Sequence, residues 1–159
     1  MLKIRAVQPT DNKELAAILR SILVEMGVPK VGTAYADTAL DCMFETYQNE
    51  HASYFVVTRD DKILGGAGIA QLANYDGPVC ELQKMYLDSS LRGKGVGRQL
   101  METCLEFAKD SGFEQVYLET MTYMQAAQEL YVKSGFNYID GPMGDTGHCA
   151  CPVHMLKDL

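Results

Sequence analysis

The sequence predicts an α/β protein built on one mixed, mostly antiparallel sheet of about six or seven strands, flanked by about four helices. Three observations carry this. The apolar period changes along the chain, from helical spacing after residue 11 to strand-like runs after residue 52 and back to helical spacing near residue 95. A strand-like run then leads into a glycine-rich loop that opens a helix, as in proteins where strands and helices alternate. Finally, 159 residues with 47% hydrophobic and 22% charged side chains are ordinary values for one folded domain, and no linker or low-complexity tract divides them.

Each element has a local reason. Leu2 to Val7 alternate as an edge-like strand. Pro9, Thr10 and Asp11, with Glu14 three residues beyond Asp11, form a helix-start pattern, and Leu15, Ile18, Leu19, Ile22 and Leu23 place a buried stripe on a helix over about 11–26 that Gly27 and Pro29 stop. A weaker helix is expected over 35–48. Residues 54–58 and 62–71 read as a hairpin around Arg59, Asp60 and Asp61, and the Gly65, Gly66 and Gly68 cluster marks a bulge or a close backbone approach. Residues 79–87 extend the sheet. A helix over about 95–111 buries Leu100, Met101, Cys104, Leu105 and Ala108, and Gly112 ends it. A strand at 116–119, a helix at 125–133, a short strand at 136–139 and a last strand near 152–156 follow.

Composition excludes several classes of function. A net charge of −7 argues against nucleic-acid binding, which needs clustered Lys and Arg. No apolar run approaches the roughly 20 residues that cross a bilayer, and the N-terminus does not read as a signal peptide, so a cytoplasmic protein is expected. Five cysteines, an odd number without a spaced framework, predict free thiols.

Against that acidic background Arg92, Lys94 and Arg98 stand out, three cations within seven residues of the loop Arg92-Gly93-Lys94-Gly95-Val96-Gly97-Arg98. Between a strand and a helix, such a loop offers unpaired N–H groups and the positive helix end to phosphate oxygens, and glycines let the anion approach the backbone. It is not a nucleotide P-loop, because Val96 rather than Lys follows Gly95 and no Ser or Thr comes next. Nor does it fit the dinucleotide fingerprint, because Arg98 stands where the third glycine belongs.

Arg92, Gly95 and Gly97 resemble the coenzyme A loop of the GNAT superfamily of N-acetyltransferases. The run Ala126-Ala127-Gln128-Glu129-Leu130-Tyr131-Val132-Lys133-Ser134-Gly135-Phe136 is similar to that family's second signature, in matching order and separation. The resemblance is specific from about Cys80 to Phe136 and implies one acetyltransferase domain over residues 1–159. It implies acetyl-coenzyme A as cosubstrate and direct acetyl transfer to an amine in a ternary complex. Its cofactor contacts would be the backbone of Met85, Tyr86 and Leu87, the loop Arg92, Gly93, Lys94, Gly95, Val96, Gly97 and Arg98, and the small Ala127. Tyr131 takes the general-acid position, protonating the departing thiolate. Glu81 is the expected general base, by position rather than by motif, with Glu119 in reserve.

The acceptor is expected to be a small amine or amino acid, with a protein N-terminus or lysine second; a homodimer is compatible with either. A domain that binds acyl-coenzyme A without turning it over is the other functional class, disfavoured by the intact Tyr131. The run His148-Cys149-Ala150-Cys151-Pro152-Val153-His154 offers two His and two Cys, but in an extended strand Cys149 and Cys151 face away from His148 and His154, so no metal is expected.

Overall fold

A computed structural model describes residues 1–159 and places seven strands in one sheet. The strands are β1 (Leu2–Ala6), β2 (Ser53–Arg59), β3 (Lys62–Gln71), β4 (Val79–Leu87), β5 (Gln115–Thr120), β6 (Asn137–Ile139) and β7 (Val153–Asp158), and the helices are α1 (Asn12–Glu25), α2 (Met43–Thr46), α3 (Val96–Asp110) and α4 (Gln125–Lys133). The sheet order is β1-β2-β3-β4-β5-β7-β6, with β4 and β5 parallel and every other pair antiparallel. This is the mixed, mostly antiparallel sheet with four helices that the sequence predicts.

Strand alternation sorts the core onto two faces. Val57, Leu64, Ile69, Cys80 and Leu82 pack against Leu100, Met101 and Cys104 of α3 and Tyr131 of α4. Tyr54, Val56 and Ile63 pack against Leu15, Leu19 and Leu23 of α1 and Met43 of α2. All five cysteines are free, and Cys80 and Cys104 are buried as small apolar residues. The β2–β3 hairpin turns on Asp60 and Asp61 alone, at φ 49° and 67°, the double positive φ that a two-residue turn of this hand needs.

Three local expectations change. The continuous helix over 35–48 is replaced by two 3₁₀ turns, Ala34–Ala36 and Thr38–Asp41, followed by the single turn α2. Thr33 and Asp37 cause the break: their side chains accept the N–H groups of Tyr35 and Ala39, and Asp37 itself is extended. Glu14 closes no capping box, because its carboxylate accepts the Ile63 N–H at 2.8 Å across to the sheet. Ile18 lies at the edge of its helix stripe, and Ala16 takes the buried position.

The glycine cluster has a definite role. A Cβ at Gly66 would meet the Phe55 carbonyl oxygen and, at 2.5 Å, the Tyr54 ring, and one at Gly68 would lie 2.6 Å from the same ring. The two glycines clear the space that Tyr54 fills. From there Tyr54 donates its hydroxyl to the Lys84 carbonyl at 2.8 Å, in the interior. That carbonyl belongs to a bulge: Gly66 pairs with Tyr86 and Gly68 with Gln83, so Lys84 and Met85 of β4 oppose Ala67 alone on β3. Lys84 sits at φ 50°, where few non-glycine residues are found.

Gly68→Ala is expected to destabilise the fold by about 1–3 kcal/mol through forced displacement of Tyr54. Urea denaturation would show a lower midpoint with an unchanged m value, and an unchanged midpoint would mean that the ring does not need this space.

Candidate active site

Bulging separates β4 from its parallel neighbour. The two strands pair only from Val79–Glu81 to Gln115–Tyr117, leaving the rest of β4 and Leu118–Thr120 of β5 apart on that side. A cleft of about 620 Å³ opens there, between the end of β4, the glycine loop and the start of α4.

The loop is built to leave room. Gly93 and Gly95 stand at φ 72° and 73°, and an added Cβ at either would meet nothing within 4 Å. The first intrahelical bond of α3 runs from Gln99 N to Gly95 O, so the N–H groups of the preceding turn have no helical partner. Gly97 serves packing instead, since a Cβ there would come within 3.3 Å of Leu130 on α4.

Of the residues the sequence singles out, Met85, Tyr86, Leu87, Arg92, Gly93, Gly95, Val96, Gly97, Ala127 and Tyr131 all line this cleft. Lys94 and Arg98 do not; both are exposed, and Arg98 holds Glu102 one helical turn on at 3.0 Å. Sequence reasoning missed Met26, Tyr123, Met124 and Gln125, which reach the cleft from the ends of α1 and α4. Only proximity to the Ala127 motif could have pointed to Met124 and Gln125.

Tyr131 is 7% exposed, with its ring edge-on to Phe136, and burial pushes its hydroxyl up to about 12. It lines both the cleft and a smaller chamber of about 50 Å³ behind it, whose walls include Lys84, Glu119, Thr120 and Cys151. Cleft and chamber therefore meet at Tyr131.

The chamber leads to a polar cluster on the face of the sheet that carries α1. Tyr47 donates to Gln83 at 2.5 Å, and Gln83 donates to Glu81 at 2.7 Å. Tyr117 donates to Glu119 at 2.7 Å, and Thr146 donates to the other oxygen of Glu119. His148 Nδ1 lies 3.9 Å from Glu119 and its Nε2 4.0 Å from Asp37, which holds the Lys84 ammonium at 3.0 Å. One oxygen or nitrogen from each of Glu81, Glu119 and His148 lies within 4.8 Å of the other two, a spacing that a cation could bridge. The Cys/His run does not converge: His154 stacks on Tyr117, His148 turns to Glu119, and Cys149 is exposed.

Burial and the nearby Glu119 charge outweigh the Gln83 hydrogen bond and raise the Glu81 carboxyl to about 7. Burial, helped by Lys84, outweighs Glu119 and Asp37 and holds the His148 imidazole below its ordinary value. Burial also pushes the Cys151 thiol up to about 11, so it is a poor nucleophile at neutral pH. Glu81 lines neither cleft nor chamber, whereas Glu119 lines the chamber directly.

The acetyltransferase (GNAT) family model matches residues 18–136. The chain belongs to that family, and with it to the N-acetyltransferases that use acetyl-coenzyme A. It is 38% identical over 150 residues to an uncharacterized N-acetyltransferase of Escherichia coli (strain K12), YjgM, covering 94% of this chain and 90% of that one. In fold it is similar to a GNAT-family acetyltransferase of Staphylococcus aureus Mu50, with a TM-score of 0.88 at 20% identity over 99% of both chains. It is likewise similar to the PaiA N-acetyltransferase of Thermoplasma acidophilum in complex with coenzyme A, with a TM-score of 0.77 at 16% identity over 100% of this chain and 99% of that one. No helix is long and apolar enough to cross a membrane.

The Glu81 shift carries a stability prediction. A carboxyl whose folded pKa is raised contributes stability that is fully present below its ordinary value near 4.5 and is lost as the pH rises through about 7. Glu81→Gln removes the penalty of ionising it inside the protein, on the order of 3 kcal/mol at about 1.4 kcal/mol per unit. The variant should therefore melt roughly 5–10 °C above the parent at pH 8, with the gap closing toward pH 5. Thermal melts across that range check it, and a gap independent of pH would show that Glu81 ionises freely.

Proposed function

We propose that this N-acetyltransferase moves the acetyl group directly from the cofactor thioester to a primary amine, in a ternary complex. The acceptor is a small amine or amino acid. The observation that carries the reading is the continuity of the site, in which Tyr131 stands where the cleft beside the glycine loop meets the chamber walled by Glu119.

Acetyl-coenzyme A supplies the activated acyl carbon and the thiolate leaving group. The loop from Arg92 to Arg98 is shaped to hold its pyrophosphate on backbone N–H groups and the positive end of α3, with Arg92 adding charge at the cleft. The Met85–Leu87 backbone borders the gap in which its extended arm would lie, and Ala127 keeps the facing helix surface low.

An amine arrives mostly as ammonium and must lose a proton before its lone pair can attack. Glu119 faces the chamber. Glu81 stands behind it with a carboxyl raised to about 7, so it takes the proton through water near neutral pH. The new C–N bond forms as the C–S bond breaks, and Tyr131 gives its proton to the departing sulfur. No protein group hydrogen-bonds the Tyr131 hydroxyl, although no buried side-chain polar atom lacks a partner, which fits a hydroxyl open to the cleft.

The five free thiols suit a cytoplasmic enzyme.

The test is thiol release from acetyl-coenzyme A with a panel of small amines, amino acids and peptides. Tyr131→Phe keeps the ring and removes only the acid. It should lower turnover about tenfold to a hundredfold while calorimetry shows little change in cofactor affinity. Unchanged turnover with chemistry rate-limiting would reduce Tyr131 to a packing residue. Silence across the whole panel despite cofactor binding would make the domain a binding module.

A further inference from the structure

Lys84 is the unexplained residue of the site. Its side chain is 5% exposed, and its backbone holds the disfavoured φ of 50° inside a strand, a conformation that persists only where the surroundings enforce it. Enclosed cations are normally paired and hydrogen-bonded in full, because their desolvation is otherwise uncompensated. An ammonium carries three N–H donors. Here one protein acceptor meets them, Asp37 Oδ2 at 3.0 Å. Asp37 is itself committed to the Ala39 N–H. The residue lines the chamber of about 50 Å³, so its remaining donors call for acceptor atoms there.

Glu119 lines the same chamber, with Glu81 close to it, so the chamber is lined by both a cation and a carboxylate. The donors that Glu119 accepts, Tyr117 and Thr146, are both neutral hydroxyls. The chamber is too small for more than the reacting end of a molecule. Glu119 and Cys151 also line a second, more open space of about 350 Å³ along the loop from Pro142 to Pro152, so the two spaces adjoin.

We infer that Lys84 selects an α-amino acid as the acceptor, its carboxylate on the Lys84 ammonium, its amine on the Glu119 side facing the thioester, and its side chain in the groove along residues 142–152. This rests on the acetyltransferase reading above. An α-amino acid holds an anion and a cation one carbon apart, which is what a small chamber lined by both an ammonium and a carboxylate can grip together. A diamine would bring a second cation toward Lys84. A peptide N-terminus would offer Lys84 a neutral carbonyl and would have to thread the rest of its chain through the chamber.

The experiment compares kcat/KM for the free amino acids with that for their α-amides, at saturating acetyl-coenzyme A, in the parent and in two variants. The exchange removes the carboxylate charge and keeps the amine and side chain. The amide's amine is the less basic, so more of it is neutral at a given pH, which works against the expected preference. For the parent's best substrate the free acid should exceed the amide by at least about tenfold, as expected for a charge-assisted contact. Lys84→Met combined with Asp37→Asn removes both charges without stranding a buried carboxylate, and should lower that acid-to-amide ratio by about tenfold or more. Lys84→Arg keeps the charge and should retain more of the preference than the Met variant. Equal use of acid and amide by the parent overturns the inference, as does a ratio that survives in the double variant. Should the double variant fail to fold, the parent's ratio and the Arg variant decide. Amides, diamines or peptides acetylated while every free amino acid stays silent would sink the carboxylate site and keep the transferase. Silence from all acceptors with cofactor bound would sink both.

Discussion

One hydrogen bond organises the functional half of this molecule: the Tyr54 hydroxyl to the Lys84 carbonyl, 2.8 Å long and buried. A bulge leaves a strand residue without its ladder partner, and an unpaired carbonyl in the interior is expensive. Tyr54 satisfies it from the neighbouring strand but one, and can do so only because Gly66 and Gly68 present no side chain to its ring. With the bulge secured, side-chain alternation in β4 shifts by one. Glu81 and Gln83 share a face before it, while Lys84 and Tyr86 take that face after it, and Met85 and Leu87 turn toward α3. The same distortion ends the β4–β5 pairing at Glu81 and opens the cleft beside the glycine loop.

The chemistry inherits its electrostatics from this arrangement. The bulge carries a lysine into a region that also holds Glu81, Glu119 and Asp37, and the titration of Glu81 and Asp37 responds to these neighbouring charges as well as to burial. Glu81 is raised into the range where a carboxylate accepts a proton at neutral pH, while Asp37, despite burial, is held below its ordinary value by the Lys84 ammonium. Two carboxyl groups in one cluster are thereby pushed apart, as the proposed pairing of a proton acceptor with a fixed counter-charge requires. Tyr131, at the junction of cleft and chamber, is pushed up to about 12 by burial, which suits the general-acid role proposed for it.

Much of this was legible in the sequence because its signals are local. The loop from Arg92 to Arg98 and the run from Ala126 to Phe136 are contiguous, and twelve of the residues they and the preceding strand supply line the cleft. The hairpin around Asp60 and Asp61, the strand over 79–87 and the helix over 125–133 likewise announce themselves by period and by turn residues. What stayed hidden depends on register or on distant partners. The glycine cluster suggested a bulge, and β3 carries one against β2, where Leu64 is the extra residue beside Gly65, but only strand pairing shows the second extra residue in β4, at Lys84. The polar cluster joins Asp37, Glu81, Lys84, Glu119, Thr146 and His148, drawn from two strands and two loops with no fixed spacing. The helix over 35–48 failed for a short-range reason, since Thr33 and Asp37 compete for the N–H groups that a helix would have used.

The central claim is that the gap opened by the Lys84 bulge is where the cofactor binds. Backbone amide hydrogen exchange, resolved along the chain with and without coenzyme A, addresses it most directly. The account predicts added protection at Met85–Leu87, at Arg92–Gly97 and at Met124–Ala127, with β1 and β6 unchanged. Protection elsewhere, or none at these three segments while calorimetry shows the cofactor bound, would contradict it.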